Sequence, residues 1–417
     1  MDGRPAAERV LVPLRRNRDF VLLQTGQALS TVGSQASAIA YTLLVLDLTG
    51  SAAKAGLASF TQLAPYAIFA LPAGVAVDRF NRKWLMIWAD VIRVIALGSL
   101  GITIATGHVT FAQILVVAFI EGTSFVIFNI AEIGAVRSVV PAPQLQRAFA
   151  TEQARLSGVY LVGPPLGGAL FGIARSLPFI VDAISYAFST GTLLAMRTPF
   201  QEAREEPETA GMWTQIREGL AWLWRHAFLR NCALLFVGSN FLFGALQLLL
   251  IVAGQRQGLS SAQIGLLVAV VGVASVLGSI AAPRFLKLLP MRAVLVLSSW
   301  LAVGMVAFVV KSNAYVLVAG LVPLWFFNPT VNAMVIGYRV ALVPDRLQGR
   351  VNSVARSVAL LAYPLGPLVA GLLLASYSAR TVAVAVLAGF VALAVATTVN
   401  RSIRTAPSFE EVTAPAS

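Results

Sequence analysis

Long, uninterrupted apolar segments constrain this chain more than any other feature. A segment of about 20 mainly apolar residues is long enough to cross a bilayer, and twelve such segments follow one another between short polar loops. Because lipid offers backbone amides and carbonyls no hydrogen-bond partner, each segment is predicted to be a transmembrane helix. The predicted spans are residues 19–46, 55–77, 84–105, 110–136, 148–172, 177–196, 231–253, 262–282, 292–310, 314–340, 350–375 and 380–399.

Composition supports a membrane protein and argues against several other classes. Charged residues make up 12% of the chain, whereas a soluble globular protein has about 25%. The formal net charge of +13 does not indicate a nucleic-acid partner, because the basic residues lie in loops between apolar segments. With one cysteine, Cys232, and two distant histidines, His108 and His226, we expect no disulfide, no metal site and no cofactor.

Basic residues are distributed unequally between the two sides of the predicted helix array. Counting Lys and Arg by side gives 23 on the side of the termini, with Arg339 among them, and 5 on the other side. Loops rich in Lys and Arg remain in the cytoplasm. The sequence therefore predicts a multi-pass protein of a bacterial inner membrane, embedded in the lipid bilayer, with both termini in the cytoplasm.

The two halves of the chain resemble each other in sequence. A shift of 203 positions aligns Gly, Pro, Asn, Arg and Tyr residues of spans 4–5 with those of spans 10–11. The aligned pairs include Asn129 with Asn332 and Tyr160 with Tyr363. Two parallel repeats of six helices, with a substrate site between them near mid-membrane, are typical of secondary transporters.

The segment between the halves has a different composition. Four glutamates and two prolines fall within residues 198–212, which is typical of a linker, and residues 213–228 follow a helical amphipathic pattern. That helix is expected to lie on the membrane surface or to pack under the bundle. We therefore divide the chain into an N-terminal six-helix bundle at 1–197, a cytoplasmic linker at 198–230, and a C-terminal six-helix bundle with a short tail at 231–417.

The loop between the second and third spans carries a motif that reads Gly74-Val-Ala-Val-Asp78-Arg79-Phe-Asn-Arg82-Lys83. Its three basic residues suit the negative end of the preceding helix dipole, but Asp78 opposes that dipole and needs a dedicated partner. The positive start of the eleventh span, near Arg350, is the expected partner. Gly74 would let the helices approach closely. An ordinary charged loop is the alternative interpretation.

This motif resembles the signature loop of the major facilitator superfamily, and the resemblance covers residues 15–400. It implies an all-α membrane fold of twelve transmembrane helices in two pseudo-symmetric six-helix bundles, which transport by alternating access. It also implies that Asp78, Arg82 and Glu132 form a cytoplasmic charge network that latches the outward-open state. The matching loop of the second half, residues 278–284, contains no acid, so one complete copy of the latch is expected.

The fifth span carries a second motif, which consists of Gly158, Gly163, Pro164, Gly167 and Gly168. It is similar, in a looser form, to the exporter-associated fifth-helix motif of the superfamily. Plain helix packing is the alternative, since glycines permit close approach and proline removes a backbone hydrogen bond. Residues 17–51 resemble the siderophore- and drug-exporting branch of the superfamily, typified by the enterobactin exporter and macrolide efflux proteins.

Ionisable residues inside the predicted spans are candidates for function, because a charge at mid-membrane costs about 2.5–3.5 kcal/mol. Asp90 and Arg93 are one turn apart and are expected to pair, either structurally or as part of the latch. Glu121 has no cation nearby in its own helix and is the leading candidate for carrying a proton. The alternative for Glu121 is a buried ion pair with an arginine of another helix.

Other intramembrane polar residues have less definite roles. Glu152 and Arg155 form a second turn-spaced pair, near the inner mouth, while Asp182 lies near the outer face and is expected to be solvated. Arg356 has no acid in its own helix and would need a cross-bundle partner or an anionic substrate. Residues expected either to line a cavity or to pack in the core are Asn129, Tyr160, Asn240, Gln247, Trp325, Asn332 and Tyr363.

Together these features favour a monomeric secondary transporter that exports a small amphipathic molecule, such as a drug, an antibiotic or a siderophore-like compound, in exchange for protons. No Gly-x-x-x-x-Gly-Lys-Ser/Thr phosphate loop is present, so we expect no ATPase motor. An importer or uniporter on the same fold is one alternative. A receptor or membrane enzyme is the other, although the sequence shows no cluster of nucleophile, base or metal ligands.

Overall fold

The computed structural model describes residues 13–200, 212–344 and 347–405, except for the side chains of Leu71, Val75, Asp78 and Met212. Over these residues the chain forms helices joined by short turns, and no strand occurs among them. The α helices are α1 Arg18–Thr49, α2 Ala52–Arg79, α3 Arg82–Ala105, α4 Phe111–Val139, α5 Leu145–Ile173, α6 Leu177–Ala195, α7 Met212–Arg225, α8 Ala227–Arg256, α9 Ser261–Leu288, α10 Met291–Trp300, α11 Val306–Val310, α12 Ala314–Leu342, α13 Gln348–Leu360, α14 Leu365–Ser376, α15 Ala379–Val399 and α16 Arg401–Arg404.

The predicted all-α membrane fold is confirmed. In the described part of the chain, eleven helical segments are long and apolar enough to cross a membrane. The remaining predicted span corresponds to α2, which is 28 residues long and packs against α4 and α14. Every predicted span therefore coincides with a helical segment.

The positions of the helix ends repeat between the two halves. A shift of 209 positions carries the bounds of α2 onto those of α9, and a shift of 203 carries the bounds of α4 onto those of α12. The shift falls from 209 to 203 because the third span of the second half, Met291–Val310, has 20 residues where Arg82–Ala105 has 24, and the loop after it is also shorter. Sequence identity revealed only the second of these two shifts.

Two spans of the second half are interrupted where their counterparts are continuous. The span Met291–Val310 contains a tighter 3-10 turn at Leu301–Met305. The eleventh span breaks at residues 361–364, between α13 and α14. Pro364 explains this break, since proline lacks the amide that would bond the preceding turn; the corresponding residue of the continuous α5 is Leu161.

The two halves meet mainly along two helix pairs. The first pair is α5 with α9, where the backbones approach so closely that side chains would not fit. A Cβ on Gly168 would collide with the carbonyl oxygen of Ser261, and a Cβ on Gly265 would meet the carbonyl oxygen of Pro164. Small residues at a membrane helix interface permit this approach.

The second pair is α2 with α14, and the repeat relates its contacts to those of the first pair. A Cβ on Gly371 would meet the carbonyl oxygen of Ala52, and a Cβ on Gly56 would collide with that of Pro367. These four residues are the counterparts of Gly168, Ser261, Gly265 and Pro164 under the shifts of 203 and 209 positions. We call the four glycines Gly56, Gly168, Gly265 and Gly371 the glycine seam.

The glycine seam lies towards one end of the bundle. Gly56 and Gly265 fall in the first turns of α2 and α9, while Gly168 and Gly371 fall near the last turns of α5 and α14. The other end carries residue 13, the loop at residues 79–83 and the start of α13, and we call it the basic end. The halves are therefore joined backbone to backbone at the end opposite the basic end.

The amphipathic segment between the halves packs on the basic end of the second half. Its helix, α7, contacts α8 and α13, and Leu223 is buried there. Glu218 forms an ion pair with Arg350 at 2.5 Å, while Trp213 and Trp224 remain exposed. Of the two arrangements expected for this segment, the structure shows the packed one.

A glycine substitution tests the seam. We expect Gly265→Ala to lower the free energy of unfolding by about 1–3 kcal/mol, because the added methyl group overpacks a backbone contact. The matched control is Gly98→Ala in α3, where a Cβ meets nothing within 4 Å. Since alanine favours a helix by about 1 kcal/mol over glycine, this control should be neutral or stabilising. Thermal unfolding in detergent measures the stability of both variants. Equal shifts of their unfolding temperatures would contradict the close backbone contact proposed at the glycine seam.

Candidate functional site

Four of the buried charged side chains of the first half form one group. Asp90 and Arg93 come from α3, Glu121 from α4 and Asp182 from α6, and none is more than 5% exposed. We call these four residues the buried acid cluster. It combines three carboxyl groups with one guanidinium group, so full ionisation would leave more negative than positive charge.

Arg93 lies at the centre of this cluster. Its Nη1 is 3.4 Å from Asp90 Oδ1, which confirms the proximity expected from their spacing but is a long ion pair. The guanidinium carbon lies 4.6 Å from the ring centre of Tyr186 and 5.6 Å from that of Phe128, distances at which a cation is attracted to an aromatic face. Nε and Nη2 of Arg93 make no hydrogen bond within the described residues.

Glu121 has a hydrogen-bonding partner, but it forms no ion pair within 4 Å among the residues that the structure describes. Its Oε2 accepts a hydrogen bond from Gln62 Nε2 of α2 at 3.2 Å. Gly122 makes this possible, because a Cβ there would collide with the carbonyl oxygen of Gln62. The cation that acts on Glu121 is Arg93, which is itself paired with Asp90. Arg93 belongs to another helix, α3, so the proton-carrier role of Glu121 and its alternative, a charge partner for an arginine of another helix, both stay predictions.

The expectation that Asp182 is solvated is wrong. Asp182 is fully buried, with Oδ2 accepting from Ser37 Oγ at 2.5 Å and Oδ1 accepting from Ser185 Oγ at 3.2 Å. The reason is the close packing of α6 on α1, where a Cβ on Gly33 would lie 2.5 Å from Asp182 Oδ1. Helix position along the chain did not reveal that this face points inward.

A second group of charges lies nearer the basic end, with pairing that differs from the expectation. Arg155 Nη2 binds Glu132 Oε1 at 3.0 Å, and its Nη1 donates to Thr31 Oγ1 at 3.2 Å. Arg155 thus reaches from α5 to α4 instead of pairing with Glu152, whose Oε2 is buried without a hydrogen bond among the described residues. Glu132 forms an ion pair with Arg155, and the expected contact between Glu132 and Arg82 stays a prediction.

The residues of the second-to-third-helix loop lie at the basic end, as expected. Lys83 Nζ donates to the carbonyl oxygen of Met196 at 2.7 Å, and Arg82 lies against Gly134 of α4. Arg79 is exposed. A Cβ on Gly74 would meet nothing within 4 Å, so the close approach expected at this glycine is not found. The side chain of Asp78 lies outside the described residues, and the latch stays a prediction.

The fifth-helix motif packs α5 on both of its neighbours. Gly163 and Gly167 lie against Gln35 and Ala36 of α1. Pro164 and Gly168 lie against α9 in the glycine seam. Gly158 has no neighbour within 4 Å of an added Cβ. These contacts give four of the five residues a packing role, and the exporter-associated role stays a prediction.

A cavity of about 770 Å³ occupies the second half, and the residues that line it fall between Leu223 and Thr397. It reaches from Leu223 and Leu229 at the basic end into the bundle. Two arginines lie in its wall, Arg339 and Arg356, and we call it the arginine cavity. Its amide and aromatic lining residues include Phe236, Asn240, Phe243, Trp325, Asn328, Asn332, Asn352 and Tyr363.

Arg356 also makes a contact across the two halves. Its guanidinium carbon lies 5.9 Å from the ring centre of Tyr66 on α2. The expected cross-bundle partner of Arg356 is therefore an aromatic ring and not a carboxylate. Tyr66 lies one helical turn from Gln62, the residue that binds Glu121. One face of α2 thus touches both the buried acid cluster and the arginine cavity.

Arg339, counted above with the basic residues on the side of the termini, is a lining residue of the cavity. The structure places it inside α12, with its Nε buried and without a hydrogen bond among the described residues. A signal was available in the sequence: no Asp or Glu occurs from residue 219 to residue 344. Such a long acid-free stretch implies that a basic residue within it has no local counter-charge.

The repeat shows the same asymmetry residue by residue. Under the shifts of 209 and 203 positions, each acid of the buried acid cluster falls on an uncharged residue of the second half: Asp90 on Ser299, Glu121 on Leu324, and Asp182 on Ala385. Arg93 falls on Ala302. The helices repeat, but the intramembrane acids belong to one half.

Proteins with related sequences carry names of efflux proteins. Macrolide efflux protein A of Streptococcus pyogenes is 30% identical over 230 residues, covering 54% of this chain and 55% of that protein. The chain thus spans about half the length of this relative. The multidrug efflux pump Tap of Mycobacterium tuberculosis is 25% identical over 360 residues, covering 82% of this chain and 84% of that protein.

Solved transporter structures share the fold. A bacterial homologue of the human lysosomal transporter Spinster, in an inward-facing and unoccupied conformation, superimposes with a TM-score of 0.73 at 16% identity, covering 96% of this chain and 100% of that one. The nucleoside transporter NupG gives 0.72 at 14% identity, with 94% and 100% covered. Residues 24–298 match the profile of the Major Facilitator Superfamily. The chain therefore belongs to the Major Facilitator Superfamily.

Proposed function

We propose that this protein is a proton-coupled exporter that moves small, amphipathic, drug-like molecules across a bacterial inner membrane by alternating access. The observation that carries the proposal is the buried acid cluster, in which three carboxyl groups share Arg93. The names of the related efflux proteins support the direction of transport. The excess of basic residues supports a cytoplasmic location of the basic end and both termini.

Charge balance supports proton binding at the buried acid cluster. Three carboxylates beside one guanidinium would place two uncompensated negative charges in the interior of a membrane domain. A buried ion without a partner costs several kcal/mol, even after structural relaxation. Binding of protons removes that cost, so the cluster exchanges protons when water reaches it from one side or the other.

The helix α2 supplies a physical connection between proton and substrate. Protonation of Glu121 weakens the charge-assisted hydrogen bond from Gln62. Tyr66, one turn along the same face, supports Arg356 in the wall of the arginine cavity. A shift of α2 at Gln62 is therefore transmitted to the cavity without any large change of fold.

The closed glycine seam and the position of the arginine cavity support an inward-facing state. The seam joins the halves at the end opposite the basic end, while the cavity reaches the basic end beside Leu223 and Leu229. In the alternating-access proposal, the seam opens when the basic end closes. A single subunit contains the buried acid cluster, the cavity and the seam, so we propose a monomer.

The substitution Glu121→Gln tests the coupling. Glutamine preserves a hydrogen bond with Gln62 but does not titrate, so we expect proton-driven efflux to fall at least tenfold and to lose its dependence on pH, as for loss of a general acid–base group. The measurement is substrate uptake into inside-out vesicles with an imposed pH gradient. The matched control is Asp47→Asn, which removes an exposed ion pair with Arg175 and should change little.

Three outcomes would count against the proposal. Full proton-driven transport by the Glu121→Gln variant, with an unchanged pH profile, would remove Glu121 from the proton pathway. Substrate accumulation in right-side-out vesicles under an inward proton gradient would favour an importer, and transport indifferent to any proton gradient would favour a uniporter.

A second substitution, Gln62→Leu, tests the connection through α2. We expect substrate affinity to stay within about twofold, because Gln62 does not line the cavity, whereas proton-driven efflux falls about tenfold, as a buried hydrogen bond to a charged group is lost. Tyr66→Phe retains the aromatic face under Arg356 and serves as the control on the same helix. Binding and transport that decline in parallel would argue against this connection.

A further inference from the structure

The second half of the protein is unusual in the charge that it presents to its cavity. No Asp or Glu occurs from residue 219 to residue 344 or from residue 346 to residue 409. The described helices α8–α16 therefore contain no carboxylate side chain. Arg339 and Arg356 both line the cavity enclosed by these helices.

We propose that the arginine cavity takes amphipathic anions, in which an aromatic or other apolar body carries a carboxylate, sulfonate or phosphate group, in preference to cations. This inference rests on the proposed function, since it assigns a substrate class to an exporter. The preference for an anion is a property of the cavity itself and can be measured without transport.

The two arginines lack counter-charges among the described residues. Neither forms an ion pair: Arg356 has its contact with the ring of Tyr66, and Arg339 has a buried Nε with no hydrogen bond. Arg356 is exposed to the cavity, and Arg339 is half-buried in its wall. Both guanidinium groups would attract a bound anion in this partly buried site, whereas they would repel a bound cation.

The rest of the cavity wall suits the uncharged part of such a molecule. Phe243 and Trp325 pack with ring centres 4.9 Å apart and both line the cavity, so an aromatic body has faces to contact. Asn332 Nδ2 donates to Asn328 Oδ1 at 2.8 Å. Asn352 Oδ1 is buried without a hydrogen bond among the described residues. A volume of about 770 Å³ lies within the usual range of ligand sites, roughly 300–1,000 Å³.

The acids of the first half do not reverse this preference. The residues of the buried acid cluster do not line the cavity. Glu121 is separated from Arg356 by Gln62 and Tyr66 of α2. The buried acid cluster and the cavity wall thus contact successive turns of one face of α2, and no carboxylate lines the cavity that an anionic substrate would occupy.

A pair of probes with one aromatic body and opposite charge tests the inference. We would measure binding of pyrenesulfonate and of pyrenyltrimethylammonium to the full chain in nanodiscs, with empty nanodiscs subtracted. We expect the sulfonate to bind about tenfold tighter, since the guanidinium groups attract the sulfonate and repel the ammonium group in a partly buried site. Added NaCl should weaken sulfonate binding, because salt screens this attraction.

Variants locate the effect. Arg339→Gln and Arg356→Gln should each reduce sulfonate affinity about tenfold while leaving or improving that of the ammonium probe. Arg356→Lys keeps the charge and should restore most of the affinity. The control is Arg284→Gln, an exposed arginine of α9 outside the cavity, which should change neither probe. Thermal unfolding verifies that each variant is folded.

The outcomes separate this inference from the proposed function. Equal or tighter binding of the ammonium probe, or sulfonate binding that is unaffected by both arginine substitutions and by salt, would overturn the anion preference. An arginine-dependent preference for sulfonate in a protein that moves no substrate in vesicles would support the preference and contradict the exporter. If a substituted protein fails to fold, the effect of NaCl on sulfonate binding by the unmodified chain still tests the anion preference.

Discussion

The cost of placing charge in hydrocarbon governs the arrangement of this protein. In the first half, three acids are buried together and share Arg93, which is held by aromatic rings as well as by Asp90. In the second half, two arginines line a cavity, and no carboxylate lines it with them. Each arrangement leaves part of the charge without a counter-charge. A bound ion, a proton in the first half and a substrate in the second, can neutralise the remainder.

The two halves share geometry but not chemistry. The helix ends repeat under shifts of 209 and 203 positions, and the four glycines of the seam are exchanged by the same shifts. The acids have no charged counterparts in the second half. Backbone contacts between membrane helices depend on small residues, which both halves need for closure. Side chains facing the interior are free of that requirement, so each half has acquired its own polar groups.

Much of the fold could be predicted from the sequence, and less of the site. Length and apolarity determine the spans because lipid leaves the backbone no alternative to a helix. Spacing along one helix correctly brought Asp90 near Arg93. It failed for Arg155, which reaches Glu132 on a neighbouring helix, and for Asp182, whose face is turned inward by packing at Gly33. Contacts between helices depend on rotation about the helix axis, which a sequence without periodic polarity does not specify.

The break at residues 361–364 has a consequence for how the cavity changes shape. On one side of the break, α14 packs against α2 at Gly371. On the other side, α13 carries Arg356 and is joined to α7 by the ion pair between Arg350 and Glu218. An interrupted helix bends at lower cost than a continuous one. The helix α13, which carries Arg356, can therefore change its angle to α14 while the glycine seam stays closed. Such a change would fit the arginine cavity to substrates of different size. The corresponding α5 of the first half is continuous.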